Sequence, residues 1–411
     1  MNKNIKLAVA GAVLALGATA ANAGIIIPAG DWTVDISGNV NSFYNHTRKE
    51  GGSVAGGIAM ANDTGTKNAA SISTGLLPNF LSVSGSTRQN DLDVTFLISI
   101  NPGSSQSNGA SGGSGTEHRQ AFLTFGDKSW GSVKIGKDLG IFASDAILND
   151  MTLLGVGGGS GAPTTTTLGG IGTGYMYADW KSQIAYTTPN MGGFSATAGL
   201  TQGWNALTVE LTPAVVSAVT GASTTAAVLA SDGSTARAGS STAFEAKASY
   251  SFAANDVTGK VWLGGFSQKV EGISNEDRAH AVDVGANVNM AGFGLTGYYY
   301  KGEGVGTTIM LRDGFDTSGR RRDSDGGYAQ ATYVLPTKTK VGISYGVSNL
   351  DQTAEAASAL VKENDRYTAG LYHPLTKHLN LVAEYNAVES KSQTNVESKT
   401  KNVSLGAILF F

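Results

Sequence analysis

The sequence predicts an all-β fold: a transmembrane barrel of sixteen antiparallel strands. Three observations carry that expectation: an export signal at the start, apolar residues recurring at every second position, and a last strand that stops on an aromatic. No apolar run after the signal approaches the ~20 residues that a membrane-spanning helix needs. A closed barrel is the other structure that satisfies its own backbone in lipid.

The signal comes first. Lys3 and Lys6 make a basic flank, Leu7 to Ala20 is apolar, and Ala21-Asn22-Ala23 offers a small-x-small cleavage pattern before Gly24. Residues 1–23 are therefore expected to be a signal peptide, with 24–411 forming one barrel. Losing Lys3 and Lys6 lowers the basic count from 29 to 27 against 32 acidic residues, so the mature chain is mildly acidic.

Alternation places strands at 31–45, 79–87, 91–101, 117–126, 131–138, 180–188, 193–203 and 242–252, then at 256–268, 279–290, 292–302, 325–335, 338–349, 364–374, 377–388 and 399–411. The apolar faces are clean in several of them. Leu92, Val94, Phe96, Ile98 and Ile100 share one face, Val282, Val284, Ala286 and Val288 another, and Val341, Ile343, Tyr345 and Val347 a third. In the last strand Val403, Leu405, Ala407, Leu409 and Phe411 alternate with residues beginning Asn402, Ser404 and Gly406. That is the pattern of a strand with one face in lipid and one in water.

The connections alternate too. Short turns such as Gln89-Asn90, Ala291-Gly292 and Pro336-Thr337 alternate with long loops at 46–78, 102–116, 139–179, 204–241, 303–324, 350–363 and 389–398, and a shorter one near 269–278. Short turns on one side and long loops on the other put the turns and both termini in the periplasm and the loops outside the cell.

Composition excludes several functions. A chain with no Cys has no disulfide scaffold, thiolate metal site or cysteine nucleophile. The five His show no metal spacing, no Gly-x-Ser-x-Gly or His-Glu-x-x-His motif occurs, and Gly136-Lys137 lacks the glycine spacing of a phosphate loop. Catalytic residues, metal ligands and cofactors are accordingly expected to be none, and the chain is not expected to be an enzyme. The largest basic cluster is Arg320-Arg321-Arg322 on an external loop, too little for nucleic acid and suited to solvent or lipopolysaccharide.

The same alternation gives a census of the inner wall. Lys134, Lys181, Lys247, Lys260 and Lys340 fall on polar faces, as do Asp35, Asp93, Glu245, Asp283 and Glu384, a balance that leaves ion preference open. Aromatics near strand ends, among them Trp32, Tyr44, Trp130, Tyr250 and Tyr333, suit the girdles at the two membrane interfaces.

Two segments resemble a known family, the Gram-negative general porins of the trimeric type. They are Gln120-Ala121-Phe122-Leu123-Thr124-Phe125-Gly126 with Trp130-Gly131-Ser132-Val133-Lys134-Ile135-Gly136-Lys137, and Ile184-Ala185-Tyr186-Thr187-Thr188-Pro189-Asn190-Met191-Gly192-Gly193-Phe194-Ser195. The terminal aromatic matches as well. The resemblance implies a homotrimer of barrels in the outer membrane, among lipid and lipopolysaccharide. Each would have its third loop, here 139–179, folded inward to narrow a water-filled channel for passive diffusion of ions and small hydrophilic solutes. It also implies basic wall residues at Arg119 and Lys137. With Lys134 from the wall census, these are expected to face Asp145 and Asp150 of the third loop across the constriction. The chain departs from the family where loop three reads Ala143-Ser144-Asp145-Ala146-Ile147-Leu148-Asn149-Asp150-Met151 and where Pro78-Asn79 stands near a usual pore-facing Arg. A substrate-specific channel, or a structural or adhesive barrel gripping an external partner with its loops, is the alternative.

Overall fold

The computed structural model describes residues 24–62, 65–104, 116–159, 166–204, 236–237, 241–272, 276–316, 319–354 and 357–411. The expected signal peptide and most of the loop 204–241 lie outside these residues.

Sixteen strands make the barrel in chain order: β1 Trp32–Gly51, β2 Phe80–Gln89, β3 Leu92–Pro102, β4 Ala121–Asp127, β5 Gly131–Leu139, β6 Trp180–Thr187, β7 Phe194–Thr201 and β8 Ala243–Ala254, followed by β9 Val257–Gly272, β10 Glu276–Met290, β11 Phe293–Glu303, β12 Asp323–Val334, β13 Lys340–Leu350, β14 Val361–Pro374, β15 Leu379–Ser392 and β16 Glu397–Phe410. Neighbours pair antiparallel, and β1 pairs with β16 from Asn39↔Phe410 to Gly51↔Ser398. That pairing closes the sheet and removes its edges. All the strands that alternation predicted are present.

The two faces differ as the pattern requires. Val40, Ile98, Leu263, Val282, Ile343 and Leu405 are all more than half exposed on the outer face, while Asn39, Asn41, Asn45, Ser99, Thr368 and Asn386 are buried on the inner one. The lower turns are tight. Asn90 and Asp91 both take positive φ (47° and 61°), as do Ala291 and Gly292 (50° and 85°), the twist that suits two-residue hairpins.

Several boundaries differ from the sequence expectation. Ile25–Ala29 forms an unexpected strand on Trp32–Ile36, and β9 and β15 run four residues further than expected, to Gly272 and Ser392. Three more differences lie around β1 and β4. β1 continues past residue 45 to Gly51, because above the lipid no outward position must be apolar and His46-Thr47-Arg48-Lys49-Glu50 gives no alternation to read. Asn68–Ser73, expected as loop, pairs with the same stretch of β1 from Arg48 down to Phe43. The fourth strand starts at Ala121 rather than 117, with Thr116–Glu117 pairing separately on Asn101 and Pro102. His118 and Arg119 between them leave the ladder, while the Gln120 carbonyl still accepts from the Ser99 amide (3.0 Å).

The wall is uneven. β4, β5, β6 and β7 have 7, 9, 8 and 8 residues, whereas β9 and β10 have 16 and 15. At about 3.3 Å per residue and ~40° of tilt, eight residues rise roughly 20 Å, short of the ~25 Å apolar band of such barrels.

The chain between β5 and β6 turns into the lumen. It forms α1, Ser144–Asn149, and a 3-10 turn, Met151–Leu154, in which Asp150 caps the start by accepting from the Thr152 amide. Phe142, Ala146, Tyr175, Met176 and Ala178 are fully buried there against Trp262, Phe266, Tyr298 and Tyr328 of the opposite inner wall. Val305, Met310, Leu311 and Phe315, from the loop between β11 and β12, complete this apolar centre.

Candidate functional site

Carboxylates of the wall hold the inner loop by its backbone. Glu245 on β8 accepts from the amides of Ile141 (2.8 Å) and Phe142 (2.9 Å), with its other oxygen taking Thr201 Oγ1 (2.8 Å) and the Lys181 ammonium. Asp283 on β10 accepts from the Ala143 amide (3.2 Å) and from the Tyr298 hydroxyl (3.2 Å). Glu384 on β15 takes the amides of Val156 and Gly157, both at 2.9 Å, and the Tyr372 hydroxyl at 2.7 Å. On β12, Gln330 accepts from the Met151 amide (2.9 Å) and donates to the Asn149 carbonyl (2.7 Å), and Tyr328 donates to the Ala146 carbonyl (2.8 Å). Hydrogen bonds donated by backbone amides to charged acceptors are the strong kind, about twice a neutral bond. Spread from β8 to β15, they fix the loop across the barrel.

The loop's own acids face the same way. Asp145 bridges Lys247 (3.0 Å) and Lys260 of the wall. Burial pushes its carboxyl up, but the two ammonium groups outweigh that and hold it below the usual carboxylate range. Asp150 accepts from the Gly170 amide (2.9 Å) and the Tyr175 hydroxyl (2.8 Å), with the buried Arg366 guanidinium 3.7 Å away.

What the loop leaves open lies on the other side, against the low wall. A cavity of about 530 Å³ is bounded by β2, β3, residues 117–120, the top of β5 and the start of β6, and by the inner loop opposite. Arg119 borders it, 8% exposed, its Nε donating to Glu117 Oε2 (2.8 Å) and its guanidinium over the Trp180 ring (5.8 Å). Asp138 is beside it, accepting from Gln120 Nε2 (2.9 Å) and paired with Lys134. Asp179 also lines it, its carboxyl pushed up by burial.

Of the expected site residues, Arg119 lies on the cavity, with Lys134 reaching it through Asp138 and resting over the Phe122 ring (4.8 Å). Lys137 sits at the rim, where its ammonium donates to the His118 carbonyl (2.8 Å). Asp145 and Asp150 are not brought to face these bases. Both carboxylates, 5% and 4% exposed, turn to the far wall.

The inner-wall census named Glu245, Asp283, Glu384, Lys181, Lys247 and Lys260, all of which fasten the loop. It missed Arg366, Tyr298, Tyr328 and Trp262. Parity marks them, since Trp262 falls between outward Val261 and Leu263, and Arg366 beside outward Tyr367. The arginine triplet is balanced: Arg320 pairs with Asp316 (2.6 Å), Arg321 with Asp277 and Glu303 (3.2 Å each), and Arg322 is buried on the Asp313 and Phe315 carbonyls.

A family model described as Gram-negative porin matches residues 8–393. The chain belongs to this family. Solved porin structures share the fold at low identity. The outer-membrane channel DcaP of Acinetobacter baumannii is 15% identical with a TM-score of 0.66, over 95% of this chain and 100% of that one. An anion-selective porin from Comamonas acidovorans is 15% identical with a TM-score of 0.59, over 92% and 100%. OmpF of Salmonella typhi, in complex with daunomycin, is 14% identical with a TM-score of 0.55, over 93% and 100%. Among curated protein sequences none matches significantly. This porin is an outer-membrane channel for passive diffusion of solutes, and its family is one of channels rather than enzymes.

Proposed function

We propose that this porin is a homotrimer of open pores, each passing ions and small hydrophilic solutes between the fastened inner loop and the low wall, with no catalytic role. The observation that carries this reading is the cavity of about 530 Å³ left on that side by a loop tied to the other. Glu117, Arg119, Gln120, Asp138 and Asp179 are polar groups that a solute meets there, with Lys134 and Lys137 setting the field around them. Asp145 and Asp150 serve as fasteners, so their contribution to selection is the shape of the gap.

The low wall supports the trimer. β4, β6 and β7, of 7 or 8 residues, fall short of the lipid band, yet Leu123, Ile184 and Leu200 expose apolar side chains along them. Protein rather than lipid is the cover that suits such a face. The remaining outer face we assign to lipid hydrocarbon. Lipopolysaccharide we assign to the outer end of that face, where Arg320 and Arg321 keep 47% and 33% of their side chains exposed.

We assign residues 1–23 to a cleaved export signal. A β-carbon added at Gly24 would lie 2.3 Å from Asp35 Oδ1, so the amino nitrogen freed there lies within about 5 Å of that carboxylate by ordinary bond geometry. Mass spectrometry of the purified protein reads the cleavage point directly.

Single-channel recording in a planar bilayer tests the whole reading. Large conductance steps that close in threes are the expected result. A correctly folded barrel that stays silent would sink it.

A further inference from the structure

Apart from Thr166 and the buried Thr167, the side of the cavity formed by the loops is apolar. Leu77, Leu148, Leu168 and Ile309 are partly exposed and border the open space, with the ring of Tyr177 and the side chain of Leu139 beside them. They come from four separate segments: residues 74–79, α1, the return of the inner loop, and the loop between β11 and β12. Across from them stand Glu117, Arg119, Gln120 and Asp138. A path between acids and bases would have charge on both sides. This one has charge on one side and hydrocarbon on the other.

Such a passage has a consequence for what crosses it. A solute that is polar all round gives up water on the apolar side and finds no hydrogen-bond partner in exchange, which costs free energy. A solute with one apolar flank loses no hydrogen bonds on that side and removes hydrocarbon from water on both surfaces. Its polar end meanwhile keeps partners in Gln120, Asp138 and the Arg119–Glu117 pair. The acids that would have made the loop side polar are engaged elsewhere, Asp145 with Lys247 and Lys260 of the far wall and Asp150 with Gly170 and Tyr175 inside the loop and Arg366 beyond it.

We infer that the channel selects amphipathic solutes, small molecules with a zwitterionic or polar end and an apolar flank, over equally small solutes that are polar all round. This rests on the open-pore reading and deepens it.

The test uses leucine and asparagine, two zwitterions of nearly equal size that differ in the flank. The full-length mature protein is reconstituted into liposomes, entry of each amino acid is followed by swelling, and protein-free vesicles give the background. KCl conductance is recorded on the same preparation. Leucine entering about three- to tenfold faster than asparagine is the expected result, on the scale of a few tens of Å² of hydrocarbon removed from water. Leu148→Asn and Leu168→Asn, each on a partly exposed side chain, are expected to bring that ratio towards one, with Leu148→Ala in between. Equal entry into conducting liposomes overturns the selectivity and leaves the open pore standing, and so does a leucine preference that both Asn variants retain. Absence of KCl conductance together with exclusion of both amino acids overturns the pore itself.

Discussion

Asp145 answers to two lysines at once, and that makes it a test of how the inner loop is held. Replacing it by Asn leaves Lys247 and Lys260 facing each other without an anion. Breaking a fully buried pair costs about 3–5 kcal/mol. Here the lysine side chains are 26% and 34% exposed, so solvent takes up part of the charge and about 1–2 kcal/mol is the expected loss. The readout is open-channel current noise, which should rise in Asp145→Asn while the barrel keeps its heat-resistant mobility in detergent. The pH dependence has a definite sign. The carboxyl is held below its usual range, so its stabilising contribution is complete above about pH 3.9 and is lost as pH falls through the lower folded value. The part of loop fastening that Asp145 supplies is therefore expected to be flat from pH 5 to 8 and to weaken only below about pH 4. Noise that rises between pH 5 and 7 would point to a different titrating group. Sequence alternation shows that Lys247 and Lys260 look inward, but it has no means of pairing them with an acid more than a hundred residues away.

The inner loop as an element depends on Glu245 more than on any of its own residues. That side chain is fully buried and serves two backbone amides, a hydroxyl and Lys181, which is itself 4% exposed and lies over the Trp204 ring at 5.0 Å. Glu245→Gln should cost about 3–5 kcal/mol, because it strands a buried ammonium. Adding Lys181→Met should recover most of that, a coupling that a double-mutant cycle of unfolding in detergent measures. If the two changes simply add, the ammonium is not what makes the single change costly. The element also marks where sequence reading stops. Residues 139–179 were expected to fold inward because the chain resembles porins, and length suited the role. Which side of the lumen they lie against was not legible. Alternation reports whether a residue points in or out, whereas the side chosen by the loop is set by acceptors on β8, β10, β12 and β15, each matched to an amide far away in the chain. The inner aromatics Trp262, Tyr298 and Tyr328 carry the same information, and they read as polar-face exceptions until the loop is seen against them.

At the scale of the whole molecule, height decides which part of the wall faces lipid and which faces protein. The outward pattern is equally apolar all round, so sequence alone gives a uniform barrel. Strand lengths break that uniformity, and they were only partly legible, because alternation fades where a strand rises above the membrane, as β1 does, or ends early, as β4 does. Two lysine substitutions separate the environments. Ile343 on β13 is 65% exposed and Ile184 on β6 is 59% exposed, so burial in the monomer does not tell them apart. Ile343→Lys places a charge against hydrocarbon and should cost up to about 2–4 kcal/mol of barrel stability in a bilayer, depending on depth, while leaving the trimer assembled. Ile184→Lys puts three like charges into one contact if the low walls meet. It should release folded monomers, seen by native mass spectrometry in mild detergent, with barrel stability changed little. Trimers that survive Ile184→Lys would mean that the low wall is covered by something other than its own copies, and the short strands would then need a different partner.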